Sequence, residues 1–453
     1  MSSPAGSEAE LVALAASLVE RALPGEGIEV AVSRNTSTTV RAYRGQVESF
    51  TAATNFGVGV RVVVAGRQGF AHAGTFDADV LAATLADARD NMGFAEPDPH
   101  VALVEPDGVA PVHQELWNPA VTATSADRKV ELALELERAT IGRDPRVAAV
   151  QSCSYGDAAG EFALVSTTGI SVGARATSCW VSTSALAQDG DETQTGYSVD
   201  VGRDPELLDL ARAGNEAVER ATRLLGARPV DSQRVPLLVE PRLAATLLGI
   251  VSGTLTGEVV VKGRSPFADR LGVEIASRQL TLVDDPTDAR SLAADVFDGE
   301  GLACRRNTLI EAGVLRSFLH NGYSGRRAGV RSTASAVRSA RSLPGVGVQA
   351  MAVEPGSTSW DELLGGLDRG FMVQNFHGLH SGVNAISGDF SVGADGLMIR
   401  GGELAEPVRE ITIASTLQRL LMDIVAVGSE IEWLPSGSGC AALLIGDVSL
   451  GGR

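Results

Sequence analysis

The side chains best suited to chemistry stand near the end of the chain: His377 and His380 three apart, then Asp389, then Cys440. These residue types hold Zn²⁺, which lowers the pKa of its bound water toward neutrality and prepares it to attack a peptide carbonyl. Such a site needs all of its ligands within bonding distance at once. The local sequence favours plainer roles. Gly378, Ser381 and Gly382 place the histidines in a loop, a bare HxxH lacks further ligands, and Cys440 in SGSGCAALLIGDV reads as a small hydrophobe entering a strand. The acidic group Asp284, Asp285, Asp295, Asp298 and Glu300 has no EF-hand spacing and reads as a solvated loop. There is no Walker loop, no GxGxxG opening a helix after a strand, no GxSxG elbow and no HExxH.

The elements that must position these groups fall into two textures. In the first half, clear helices alternate with β-rich runs: a helix to about Leu23, strands over Ile28 to Ser33, Thr38 to Tyr43, Val47 to Thr51, Val58 to Val64 and Gln68 to His72, and helices over Asp77 to Asn91, from Ser125, and over Pro205 to Leu225. Breaks at Arg44-Gly45, Ala65-Gly66-Arg67 and Thr168-Gly169 read as hairpin turns of an antiparallel meander. In the second half, short glycine-marked strands surround helices over Pro241 to Thr256, Ser359 to Leu367 and Thr416 to Val427, with hairpins at Glu311-Ala312-Gly313 and Arg400-Gly401-Gly402. No regular βαβ alternation appears. The expected fold is α+β, with mostly antiparallel sheets flanked by helices, an N-terminal α+β domain over 1–228 and a β-rich C-terminal domain over 229–453.

Composition narrows the function classes. A chain of 453 residues, 44% hydrophobic and 21% charged, can bury a full core. Its formal net charge of −18 is the wrong sign for a surface that binds phosphates, so direct nucleic-acid binding is not expected. The arginine-rich run from Arg326 to Arg341 reads as a solvated or partner-facing segment. Four cysteines without a CxxC pair indicate neither a disulfide framework nor a zinc ribbon. With no apolar run of spanning length and no basic leader, no membrane role is expected and cytoplasmic residence is the default.

Several longer motifs carry a family resemblance. GVGVRVVVAGRQGFA (Gly57 to Ala71), LTLVDDP (Leu280 to Pro286), FDGEG (Phe297 to Gly301), LIEAGVLRSFLHNGYSGRRAG (Leu309 to Gly329), SGDFSVGADGLMIRGGE (Ser387 to Glu403) and EITIA (Glu410 to Ala414) together resemble the TldD/PmbA family, also described as modulators of DNA gyrase. The resemblance spans nearly the whole chain. It implies two branches, of which the catalytic, TldD-like one carries His-Glu-x-x-x-His on a helix, with histidines for zinc, Glu as general base and a Cys near the C-terminus as a further ligand. Here the matching helix reads LLGIVSGT, so Gly249 and Ile250 stand at the first His-Glu positions and Thr254 at the second His. No histidine lies between His113 and His320.

The resemblance therefore implies the PmbA-like, or TldE-like, branch: a non-catalytic subunit in a heterodimer with a TldD-like metallopeptidase. Zn²⁺ is then expected in the partner, none in this chain, and the substrates are small or unfolded peptides. Asn384, Gly388 and Asp389 belong to a signature expected to shape a wall of the cleft or to fix backbone geometry. Two other readings stay open: a binding or regulatory protein acting on gyrase or a toxin–antitoxin pair without proteolysis, and a hydrolase with a metal site of His377, His380, Asp389 and Cys440.

Overall fold

The computed structural model describes residues 7–452. The first six residues, on which the expectation of no leader partly rests, lie outside this range. Helix α1 (Ser7–Val19) precedes three strands, β1 (Gly27–Tyr43), β2 (Gln46–Val64) and β3 (Arg67–Ala73); then come helices α2 (Ala78–Gly93), α3 (Pro119–Ala123) and α4 (Ala126–Thr140). Strands β4 (Val147–Ser166), β5 (Ser171–Asp189) and β6 (Glu192–Gly202) complete one antiparallel sheet of order β3-β2-β1-β4-β5-β6, and helix α5 (Leu210–Thr222) follows. The expected hairpins form. Arg44 and Gly45, with φ of 55° and 73°, and Ala65 and Gly66, with φ of 51° and 78°, make the doubly left-handed turns whose twist matches antiparallel strands.

The second half supplies β7 (Gln233–Val239), α6 (Pro241–Thr254), α7 (Gly257–Val261), β8 (Leu282–Asp284), β9 (Asn307–Glu311), β10 (Val314–Leu315) and α8 (Gly322–Ala328). It continues with β11 (Ala336–Val337), β12 (Gly345–Val346), β13 (Met351–Val353), α9 (Trp360–Gly365), β14 (Arg369–His377) and α10 (Leu379–Gly382). Last come β15 (Asp389–Arg400), β16 (Glu403–Thr416), α11 (Leu417–Met422), β17 (Ile424–Val427), β18 (Glu432–Trp433), β19 (Gly439–Cys440) and β20 (Leu443–Gly451). One sheet runs β16-β15-β14-β7-β20-β17, and a further pairing of β16 with β20 closes five of its strands into a barrel. A smaller sheet runs β10-β9-β8-β13-β19-β18. The fold is α+β and mostly antiparallel, with parallel pairs at β7–β14 and β13–β19.

Helix α6 lies between these two sheets. Leu243, Leu247, Leu248 and Val251 are buried in one cluster with barrel residues such as Leu237, Phe371 and Val392 and with Leu282 and Ile310 of the smaller sheet. Its residues are apolar on this face and small or polar on the other, the pattern of a helix with one face in a core.

Three expectations are corrected. The helix expected over Pro205 to Leu225 is two elements, because Asp204 caps a short 3₁₀ turn (Pro205–Leu207) and Asp209 caps α5. The acidic region is not a solvated loop at Asp284, Asp298 and Glu300, which are 0%, 1% and 1% exposed. Each carboxylate instead accepts backbone N–H groups: Asp284 from Gln349 and Ala350, Asp298 from Glu300, Leu302 and Ala336, and Glu300 from Gly322 at 2.6 Å. The run from Arg326 to Arg341 is not simply a solvated segment, since Arg326 donates to the carbonyls of His100 and Ala102 and Arg338 is buried against Glu29 at 2.5 Å.

Candidate functional site

One stripe of α6 faces open space. Arg242, Ala245, Thr246, Gly249 and Ile250 recur at helical spacing and line a recess of about 540 Å³. The opposite wall is the edge strand β6, through Tyr197, Ser198 and Val199, and α5 contributes Glu216 and Arg220. Glu432, Leu434, Pro435, Ser436 and Ser438 close it from the segment between β18 and β19. A second recess of about 280 Å³ shares Glu216, Arg220 and Glu432 with the first, and a third of about 400 Å³ shares Tyr197, Val199, Pro435 and Ser436. Together they form a cleft where the first large sheet meets the barrel half, the kind of place where ligand sites concentrate.

Charged groups stud this cleft. Arg220 and Arg212 donate to the carbonyls of Tyr197 and Val199 on β6 at 3.0 and 3.4 Å. Arg242 donates to the carbonyl of Gln374 at 2.9 Å while its buried Nε has no acceptor, and desolvation pulls its pKa down. Burial first, and repulsion from Glu216 second, hold the Glu432 carboxyl above its usual range. None of these residues announces itself in sequence. Arg242 and Thr246 lie on the Gly249 face of α6, so the helical period held a signal for them; Glu432 reaches the cleft only through the fold.

The positions assigned to the zinc motif sit on this helix without its chemistry. A Cβ built on Gly249 would meet nothing within 4 Å, so the face is vacant rather than filled. Ile250 lines the recess. Thr254 is 1% exposed and its hydroxyl donates to the Val251 carbonyl at 2.6 Å, inside the helix's own backbone. Cys440 is fully buried near α6, opposite Glu432, and its thiol is pushed up to about 12, chiefly by burial. His320 packs its ring against Gly257, where a Cβ would lie 2.1 Å from Nδ1, and burial lowers its pKa. Among the described residues, no three His, Cys, Asp or Glu side chains are grouped to hold a metal ion.

The alternative metal set is not brought together either. His377 hydrogen-bonds Asp395 at 2.6 Å on an exposed strand end, His380 is exposed on α10, Asp389 accepts from Ser387, and Cys440 lies in the core. Asn384, Gly388 and Asp389 hold a turn. Asn384 Oδ1 accepts from the N–H of Ile386 and Ser387, the Gly388 N–H donates to the Asn384 carbonyl, and Gly388 adopts φ 86° with Gln418 where its Cβ would be. Of the stretch from His377 to Ala414, Leu404 is the residue that reaches the cleft recesses.

Family models match in three consecutive pieces: PmbA/TldA metallopeptidase domain 1 over 28–91, the central domain over 120–225 and the C-terminal domain over 232–452. The chain belongs to the PmbA/TldD family. An Escherichia coli O157:H7 relative, named Metalloprotease PmbA, is 28% identical over 94% of this chain and 93% of its own length. A Thermotoga maritima structure, named for modulation of a DNA gyrase, superposes with TM-score 0.87 at 25% identity over 98% and 99% of the two chains. TldE from Thermococcus kodakarensis has the same fold, with TM-score 0.87 at 23% identity over 98% and 99%. The PmbA/TldD fold thus frames a cleft around α6, on which Gly249, Ile250 and Thr254 present neither an imidazole nor a carboxylate. No helix among the described residues is long and apolar enough to cross a membrane.

Proposed function

We propose that this chain is the non-catalytic, PmbA-like (TldE-like) subunit of a heterodimeric zinc peptidase that processes or degrades small or unfolded peptides in the cytoplasm. Its partner is a TldD-like chain that carries His-Glu-x-x-x-His and the Zn²⁺. The observation that carries this reading is the pairing of an open cleft with empty chemistry: Gly249, Ile250 and Thr254 present no ligand and no base on the very helix that lines it. In a His-Glu-x-x-x-His site the imidazoles hold the metal and the carboxylate takes the proton, whereas a cleft without them can still hold and orient substrate.

Each residue's role follows. The edge strand β6 offers backbone groups to an extended peptide, which exchanges for the guanidinium contacts of Arg220 and Arg212 and so pairs without regard to side-chain identity. Ile250, Val199 and Leu434 exclude water, and Arg242 lines the same recess while holding the Gln374 carbonyl. The division into 1–228 and 229–453 puts β6 and α5 on one side of the cleft and α6 on the other. A regulatory role without proteolysis has in its favour the name of the Thermotoga maritima structure; the net charge of −18 weighs against direct contact with DNA.

Reconstitution tests the pairing. The chain and a TldD-like subunit, purified separately and mixed, are expected to elute as a one-to-one complex that cleaves an unfolded peptide; two species that stay apart on a sizing column would refute it.

A further inference from the structure

The recess at the N-terminal end of α6 is unlike the rest of the cleft, because acid dominates it. Glu240, the residue before α6, is 8% exposed; one carboxylate oxygen accepts from Arg223 at 2.7 Å, while the other is buried with no hydrogen bond and only a long ion pair to Arg220 Nε at 3.8 Å. Glu430 and Glu432 line the same recess, and their side chains make no hydrogen bond or ion pair among the described residues. Glu216 and Glu219 add two more carboxylates. Against these five, Arg220 and Arg223 line the recess, both already engaged: Arg220 with Glu216 and the Tyr197 carbonyl, Arg223 with Glu240 and Gln374; from beside it Arg212 pairs with Glu216 at 2.7 Å, and Arg242 donates to the Gln374 carbonyl.

Trp360 supplies the remaining feature. It opens α9, whose start is fixed by the reciprocal Ser359–Glu362 capping box, and it lines the same recess as these carboxylates. An aromatic face beside partly desolvated carboxylates is the environment that attracts an ammonium or guanidinium ion. A buried carboxylate oxygen without a partner is costly, and a cation in the recess would meet that cost.

We propose that this recess binds a positively charged group of the peptide, either its N-terminal ammonium or a lysine or arginine side chain, and so fixes where along the cleft the peptide begins or is gripped. The inference rests on the reading that the cleft holds peptide. On that footing, the non-catalytic subunit sets substrate preference even though it cleaves nothing.

Calorimetric titration of the full-length chain decides it, using three alanine-rich peptides: one acetylated and amidated with a single lysine, the same with norleucine in its place, and the norleucine peptide with a free N-terminal amine. At least one charged peptide is expected to bind about tenfold more tightly than the acetylated norleucine peptide. Tighter binding of the lysine peptide identifies a side-chain grip, and of the free amine an N-terminal one. The double substitution Glu430→Gln with Glu432→Gln, at partly exposed positions, is expected to erase the difference, and Trp360→Leu to reduce it. Equal binding of all three peptides would overturn the inference while leaving the peptide cleft intact; no binding of any would overturn both.

Discussion

Glu300 carries its charge poorly. Its carboxylate has a single backbone N–H, from Gly322, and burial followed by repulsion from Asp298 raises its pKa to about 7. Because the folded value lies above the usual 4.5, the stability tied to this proton is fully present below that pH and is lost as pH climbs through 7. Glu300→Gln escapes the loss while keeping an acceptor for Gly322. Denaturant unfolding at about pH 4 and about pH 8 is expected to show the variant gaining on the parent by on the order of 1–3 kcal/mol across that interval; a constant difference would mean that the carboxylate is solvated. Gly249 offers a second test. A methyl group there meets nothing within 4 Å, so Gly249→Ala is expected to raise stability by roughly 0.5–1 kcal/mol through helix propensity, whereas Thr254→His, at a buried position, is expected to cost about 1–3 kcal/mol by overpacking. Thermal or denaturant melts read both. At this scale the sequence was legible at Cys440, which reads as a small hydrophobe entering a strand and is buried in β19. It was not legible at Asp298, since nothing local says that one carboxylate will collect N–H groups from Glu300, Leu302 and the distant Ala336.

Elements were most legible where their signals are local. Ser125 and Ser359 cap the helices that follow them, Pro241 opens α6, and Arg44-Gly45 turns β1 into β2, because caps and turns act within a few residues. Where pairing is remote, the reading failed. The helix expected over Thr416 to Val427 ends at Met422, since Ile424 to Val427 pairs with β20, and the runs Ile28 to Ser33 and Thr38 to Tyr43 are one strand, held continuous by β2 and β4 on either side. The edge strand β6 carries the prediction at this scale. If a peptide adds to it, hydrogen exchange of the amides from Tyr197 to Val199 is expected to slow when an unfolded peptide is added, while β3, the opposite edge of the same sheet, keeps its rate. Equal slowing at both edges, or at neither, would contradict peptide addition at β6.

At the scale of the whole molecule, the cleft arises from the meeting of two halves that each build their own sheets, and no single segment encodes it. Its walls come from β6, α5 and α6, within residues 192–254, and from β18 and the segment leading to β19, which begin only at residue 432. That distance hid Glu432 and Tyr197 from a linear reading, while the helix that mattered most could be found because its motif is contiguous. On the proposed reading, the chemistry belongs to another chain and this chain contributes the cleft. Zinc content and peptidase activity, measured on the purified chain alone and after addition of a TldD-like subunit, test this most directly. The chain alone is expected to hold no stoichiometric zinc and to cut no peptide, and the mixture to hold zinc and cleave, with activity abolished by substituting the partner's motif; stoichiometric zinc with proteolysis from this chain by itself would contradict the assignment.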